Sequence, residues 1–298
     1  VIVAVTGATG FVGRHLTDVL VERGHRPRVL VRDPAALPFR RPDAVDLVPG
    51  SLAEPRALAT LVAGAAAVVH LVGIIVEDGP ATFDAVHVQG TRAVIDAARA
   101  GGVHRFVYMS AAGARDEAGA TPYHRTKAAA EAIVRAGGLS HVIFRPSIIS
   151  GPESAPIGLL ARMHRLAPVI PLFGHGDFPT QPVWVGDVAM AFALAVEGRG
   201  ADGTYELGGP AVVSYREFVR AIGRAAGSPR PLVPIPLPLV RAGTRVFDLL
   251  GARAPLTSDQ LEMLVEGNAT PSNAIESVFG IRPLPFEEGL KRYLGSGE

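Results

Sequence analysis

The sequence predicts an α/β chain: a doubly wound domain on a parallel sheet, followed by a smaller C-terminal lobe. Three observations lead there. The chain opens with a strand, a three-glycine turn and a helix; apolar β-branched runs then alternate with helical patterns for about 150 residues; and that alternation loosens beyond Gly151-Pro152.

Val1 to Val5 are apolar and mostly β-branched, as in a buried parallel strand. The stretch Thr6-Gly7-Ala8-Thr9-Gly10-Phe11-Val12-Gly13 then turns the chain. From Phe11 onward Val12, Leu16, Val19 and Leu20 fall on one face of a helix that stops at Gly24. In such a turn Gly7 permits the sharp bend, Gly10 lets the backbone approach a pyrophosphate, and Gly13 lets the helix pack close to the sheet. The free N–H groups at the helix start suit an anion. A Rossmann-type dinucleotide cradle is therefore expected, lined by Thr6, Gly7, Thr9, Gly10, Phe11, Val12, Gly13 and Arg14.

Arg28 to Val31 form the second expected strand, closed by Arg32. Arg32 and Arg14 together favour NADP(H), because guanidinium groups bind a 2′-phosphate through charge-assisted bonds. Asp33, one residue on, suits the ribose of NAD(H) if the strand end shifts by one. Val45–Val48 is a third strand, with Ser51 and Leu52 at the adenine edge. A helix over Glu54–Ala63 leads to strand four, which ends at Leu71-Val72-Gly73 beside the cofactor. Pro80–Ala100 is expected as one long helix, and Arg105–Ser110 as strand five. Thr121-Pro122 starts a helix with a cap residue and a first-turn proline. His141–Phe144 is strand six, closed by Arg145-Pro146, with Pro146, Ser147 and Ile148 at the cofactor.

The dinucleotide domain is expected over residues 1–150 with 183–212 returning to it; 151–182 and 213–298 make the substrate lobe. There Ile157–Leu166 reads as a helix, Val183–Val185 as a strand feeding a helix capped by Asp187, and Tyr205–Leu207 as a strand. Ser214-x-x-Glu217 reads as a capping box, and Pro229, Pro231, Pro234, Pro236 and Pro238 as a stiff connector. Helices are expected around Leu239–Leu250, Ser258–Glu266 and Phe286–Leu294.

Composition narrows the function. Hydrophobic residues make up 48% of the 298, enough for a sizeable core, and a formal charge of +1 gives no reason to expect nucleic acid. The absence of cysteine excludes disulfides, thiolate catalysis and zinc–thiolate sites, and the nine histidines lack metal-ligand spacing, so no metal site is expected. Ala57–Val76 carries no formal charge over twenty residues, but helix, Gly64 stop and strand explain it better than a membrane span. With the first strand at Val1 no secretory leader is expected, and the expected location is cytoplasmic, with a peripheral membrane contact as the alternative.

Tyr123 and Lys127 lie four apart, on one face of the helix that Pro122 starts, and Ser110 ends strand five thirteen residues earlier. Free tyrosine has a pKa near ~10, so it handles protons at neutral pH only if its phenolate is stabilised. A nearby ammonium does that, and a serine hydroxyl at the strand end can hold a substrate oxygen. The set suits proton transfer coupled to hydride transfer between an alcohol or carbonyl and a nicotinamide. Only Lys127 and Lys291 are lysines, against 27 arginines, and one of the two stands where a compact ammonium is needed.

These motifs resemble the short-chain dehydrogenase/reductase superfamily in its extended or atypical branch: Thr6-Gly7-x-x-Gly10-x-x-Gly13, Ser110, Tyr123-x-x-x-Lys127, Arg145-Pro146-Ser147 with Gly151-Pro152, and Val185-Gly186-Asp187-Val188-Ala189. Within the branch the chain looks most like the family of the complex I (NADH:ubiquinone oxidoreductase) nucleotide-binding accessory subunit. His70-Leu71-Val72-Gly73-Ile74, Tyr108-Met109-Ser110-Ala111, Tyr123–Lys127 and Leu256-Thr257-Ser258-Asp259-Gln260-Leu261 carry that likeness. The resemblance implies Tyr123 as proton donor or acceptor, Lys127 on the ribose and Ser110 orienting substrate. It also implies two alternatives: a nucleotide-bound accessory or assembly subunit of a respiratory complex or quinone pathway, and a nucleotide-sugar epimerase or dehydratase, for which Arg162 and Arg165 are the few diphosphate ligands. Two positions depart from the pattern, Ser51 in place of an aspartate and His87 in place of an asparagine.

Overall fold

The computed structural model describes residues 1–35, 39–249 and 256–295. The chain forms β1 (Ile2–Thr6), α1 (Phe11–Glu22), β2 (Arg26–Val31), β3 (Asp46–Pro49), α2 (Pro55–Val62), β4 (Ala67–His70), α3 (Gly90–Ala100), β5 (Arg105–Met109), α4 (Pro122–Ala136) and β6 (Ser140–Pro146). It continues through β7 (Ile149–Ser150), α5 (Ala155–Leu166), β8 (Ile170–Phe173), β9 (Pro179–Thr180), β10 (Val183–Trp184), α6 (Val185–Val196), β11 (Gly203–Leu207), β12 (Val213–Ser214) and α7 (Tyr215–Ala225). It ends with β13 (Leu232–Ile235), α8 (Leu237–Leu249), α9 (Ser258–Glu266), α10 (Ala274–Ser277) and α11 (Phe286–Lys291).

The chain divides into two compact units, residues 1–146, 185–207 and 272–282, and residues 147–184, 208–271 and 283–298. In the first, seven parallel strands run in the order β11-β6-β5-β4-β1-β2-β3. The order reverses between β1 and β4, where Thr6 lies beside His70, and such a switch point opens a crevice at the strand ends. One sheet face packs Phe106, Tyr108 and Ile143 against Leu58, Leu61 and Val94 of the helices. On β6, Phe144 meets Phe192 of α6 with ring centroids 4.7 Å apart. These strands read as near-continuous apolar runs because both faces are covered.

Residues 272–282 belong with the first unit, not with the C-terminal lobe as expected. Glu206 on β11 accepts hydrogen bonds from the Ser272 amide and hydroxyl, and Phe279 packs on Phe144 and Tyr205. The short α10, capped by Asn273, carries no sequence pattern long enough to anticipate.

Several boundaries differ from expectation. The long helix at Pro80–Ala100 is a π-helical turn, Asp84–Gln89, running into α3. Asp78 and Ala81 bond to each other, Glu77 accepts from the Phe83 amide, and Thr82 accepts from the Ala85 amide, so the helix starts after the turn. β5 stops at Met109, one residue before Ser110. α6 starts at Val185, which leaves Asp187 in its first turn rather than at its cap.

In the second unit, α5 and α7 enclose a core of Ile157, Phe218, Val219 and Ile222. The expected proline connector is largely β13, paired in parallel with β8, and the first turn of α8. Among the described residues β13 pairs with β8 alone, so a proline lacking its N–H is tolerated there. Of the capping box at Ser214, one half forms: Ser214 Oγ accepts from the Glu217 amide, while the Glu217 carboxylate pairs with Arg224 at 2.6 Å. Thr257 and Gln260 make the full reciprocal box at α9. Leu250, the expected end of the helix from Leu239, lies outside the described residues, and no helix among the described residues is long and apolar enough to cross a membrane.

Candidate active site

The glycine turn is built by close contacts within the first unit. Gly7 has φ +78°, and a Cβ there would lie 3.0 Å from the Val72 nitrogen, so the turn after β1 touches the loop after β4. A Cβ at Gly13 would stand 2.1 Å from the Gly7 carbonyl oxygen, so only glycine lets α1 begin beneath the turn. Gly10 is different, because among the described residues beyond its chain neighbours a Cβ would meet just the Gly7 oxygen within 4 Å, at 3.2 Å. α1 has no side-chain cap at Gly10 and no acidic residue in its first turn. An uncapped, positively polarised helix start that faces open space through a glycine fits a pyrophosphate.

Other residues expected at the cofactor are placed less uniformly. Thr6 is buried, and its Oγ1 lies 2.6 Å from His70 Nδ1, so it belongs to the sheet interior; Val12 is buried as well, while Thr9 is exposed and Phe11 half-buried. Arg14 donates to the Thr9 carbonyl at 3.4 Å. Arg32 is exposed just past β2, and Asp33 accepts from the Ala35 amide at 2.9 Å in a local turn. Ser51 Oγ donates to Glu54 at 2.8 Å, and Leu52 packs against the core. Leu71 is buried and extends the ladder to Thr6; Val72 and Gly73 come after it, Gly73 exposed. Pro146 closes β6, its carbonyl accepting from Ala112 at 3.0 Å. Ser147 and Ile148 belong to the second unit, where Ser147 Oγ donates to the Gln181 carbonyl and the Ile148 carbonyl accepts from Val183.

Thr121 caps α4 by accepting from the His124 amide, and Pro122 opens its first turn. This puts Tyr123, Lys127 and Glu131 on successive turns of one helix face. Tyr123 is edge-on to Phe83 and His87, at centroid distances of 5.9 and 5.6 Å. Burial pushes its hydroxyl up to about 12. Lys127 is 2% exposed and donates to the Met109 carbonyl at 2.9 Å and toward the Tyr108 hydroxyl at 3.5 Å. Its ammonium would lie 3.1 Å from a Cβ at Gly73, so that glycine makes room for it. Burial pulls the Lys127 pKa down to about 8, and Glu131 pulls the other way.

Ser110 is 3% exposed, and its hydroxyl donates to Glu131 Oε1 at 2.6 Å. With its one proton placed there, Ser110 can only accept a further bond. Expected as a group holding a substrate oxygen, it can therefore serve an alcohol by accepting but does not donate to a carbonyl. Glu131 is completely buried and also takes two bonds from Arg145, each 2.7 Å, and one from Arg135 at 2.6 Å. Burial pushes this carboxyl up, but the bonds from Arg145 and Ser110 outweigh it and hold it below the usual carboxylate range. Sequence reasoning missed Glu131, although its spacing of four from Lys127 was a usable signal.

His87 sits in the π-helical turn. Its Nε2 accepts from the Ile74 amide at 3.1 Å, so Nδ1 carries the proton and donates to Thr126 Oγ1 at 3.0 Å. Burial and the charge of Lys127 lower its pKa to about 3, and the neutral ring ties the loop after β4 to α4. A π-turn at a ligand crevice is a frequent functional device.

A family described as NAD(P)H-binding matches residues 7–164, more than half of the chain. The chain belongs to this NAD(P)H-binding family. Among relatives of this family member, the 2-alkyl-3-oxoalkanoate reductase of Stenotrophomonas maltophilia is 32% identical over 99% of this chain and 98% of its own length. The ceramide reductase of Caulobacter vibrioides is 43% identical over 175 residues, 58% of this chain and 54% of that enzyme, so the match spans about half the relative. NADH dehydrogenase [ubiquinone] 1 alpha subcomplex subunit 9 of Arabidopsis thaliana is 29% identical over 93% of this chain and 71% of that protein. In fold, the NAD(P)H-binding chain superposes on the UDP-glucose 4-epimerase of Thermus thermophilus, solved with NAD, at a TM-score of 0.73 over the full length of both, with 23% identity. It is an oxidoreductase-family protein of the extended short-chain dehydrogenase/reductase type, with a nicotinamide dinucleotide as cofactor.

Proposed function

We propose that this protein is an NADP(H)-dependent oxidoreductase acting on a small or lipid-like carbonyl or alcohol. The observation that carries the proposal is the Tyr123–Lys127 pair, whose ammonium lies against Gly73 at the edge of the glycine turn's crevice. The bound dinucleotide supplies or takes the hydride. Tyr123 Oη gives its proton to the carbonyl oxygen as the carbon is reduced, and takes it from the alcohol in the reverse direction. Lys127 favours the phenolate that remains, and Ser110, its own proton on Glu131, orients the alcohol until the alcohol's single proton passes to Tyr123. The relatives named as reducing ceramide and 2-alkyl-3-oxoalkanoates support a lipid-like substrate. NADPH consumption with a 2-alkyl-3-oxoalkanoate tests this directly; no turnover with any carbonyl of that class removes the proposal.

For the cofactor, exposed Arg32 past β2 supports NADP(H), since Asp33 is held in its own turn. Arg32→Gln is expected to weaken NADP(H) binding about tenfold, as for loss of one charge-assisted contact of ~1.5 kcal/mol, and to leave NAD(H) binding nearly unchanged. Titration with both cofactors checks it, and equal losses for the two would overturn the preference.

A second reading, a nucleotide-bound accessory subunit, is favoured by the placement of the Ser110 proton on Glu131 and by the likeness to the complex I subunit. Nucleotide that stays bound for hours against exchange, with no turnover, supports it. Leu239, Val246 and Phe247 stand exposed along α8 and support a peripheral contact with lipid. Val246→Glu with Phe247→Glu is then expected to abolish cosedimentation with phosphatidylglycerol vesicles; wild-type protein left in the supernatant ends that part of the proposal.

A further inference from the structure

We propose that Glu131 is a positioning residue of this site: from one turn beyond Lys127 on α4, its carboxylate clamps the end of β5 through Ser110 and keeps Lys127 an ammonium against the Met109 carbonyl. This rests on Tyr123 and Lys127 being the reacting pair. The carboxylate is fully buried, which is unfavourable unless every lone pair is matched. Four bonds match it: one from Ser110, two from Arg145 on β6 and one from Arg135 on α4. The strand end that holds the Met109 carbonyl is thereby fixed to the same helix that carries Lys127.

Charge completes the case. The titratable groups around Lys127 are Tyr123 and Glu131 on α4, Tyr108 on β5, His70 on β4 and His87 in the π-helical turn. Both histidines are neutral at physiological pH, each with a pKa lowered to about 3 by burial, and Tyr108 is pushed far up by burial. Glu131 is therefore the anion among them that favours a charged Lys127. Beyond it stand Arg145 and Arg135, with Glu206 acting on Arg145 from β11 and Thr204 accepting from Arg135. Removing the carboxylate takes away that favourable charge and leaves Arg145 and Arg135 without the anion they pair with.

The composition makes this measurable, since Lys127 and Lys291 are the only lysines. Protein labelled with carbon-13 at lysine Cε gives two side-chain signals, and Lys291→Arg assigns them. In the wild type, the Lys127 signal is expected to titrate near pH 8. In Glu131→Gln the midpoint falls by one unit or more, a tenfold loss of proton affinity, and any alkaline limb of kcat moves down with it. Arg135, partly exposed, gives a variant safe for folding: Arg135→Gln moves the midpoint slightly upward. A Glu131→Gln midpoint that stays or rises overturns the proposal; if that variant does not fold, an Arg135→Gln midpoint that stays or falls does so. The titration reads Lys127 without turnover, so a wild type with no activity would count against the proposed reaction and leave this result standing.

Discussion

Tyr123→Phe is expected to lower turnover by about 10²–10⁴-fold, the usual worth of a general acid or base, while dinucleotide affinity stays within about twofold. The phenylalanine ring keeps the edge-on contacts with Phe83 and His87, so the crevice holds its shape. What disappears is the hydroxyl. In the protein alone burial holds that hydroxyl near 12, too high to release a proton readily at neutral pH. A positive charge close to it would bring it down, and in the proposed reaction the Lys127 ammonium, one helical turn on, supplies that charge. Steady-state kinetics with isothermal titration of the cofactor separates the two effects. Unchanged kcat in the variant would remove Tyr123 from the reaction.

The glycine turn yields the second large effect, as a contrast between neighbouring glycines. Gly13→Ala places a Cβ 2.1 Å from the Gly7 oxygen and 2.6 Å from Ala8 Cα, both backbone atoms that cannot swing aside. Such overpacking sits at or above the upper end of the ~1–3 kcal/mol range and should lower Tm by roughly 5–10 °C. Gly10→Ala meets one atom at 3.2 Å, and its φ of −74° suits alanine, so stability should change by less than about 1 kcal/mol. Its methyl group projects into the space in front of α1, and NADP(H) affinity should fall at least tenfold. Thermal unfolding with and without NADP(H) reads both variants. A Gly10→Ala protein that binds normally would show that the cofactor does not approach the turn there.

The sequence by itself determined the doubly wound sheet, the glycine turn and the placing of Tyr123 and Lys127 on one helix face. Each is a local matter: β-branched runs buried on both faces, glycines at φ and packing positions closed to other residues, and a spacing of four on a capped helix. Only the tertiary structure decided where the Ser110 proton goes. Its acceptor lies 21 residues away, and the arginine that fixes that acceptor comes from a third element, β6, so no spacing within one element reveals the cluster. The same holds for His87, whose tautomer depends on an amide 13 residues earlier and a threonine 39 residues later. The π-turn that carries it and the return of residues 272–282 to the first unit likewise depend on contacts between distant segments, through Glu77, Thr82, Glu206 and Phe279. Periodicity finds surfaces to be buried, whereas long-range pairing of polar groups decides which buried side chain meets which, and here that pairing brings Ser110 and Arg145 onto Glu131.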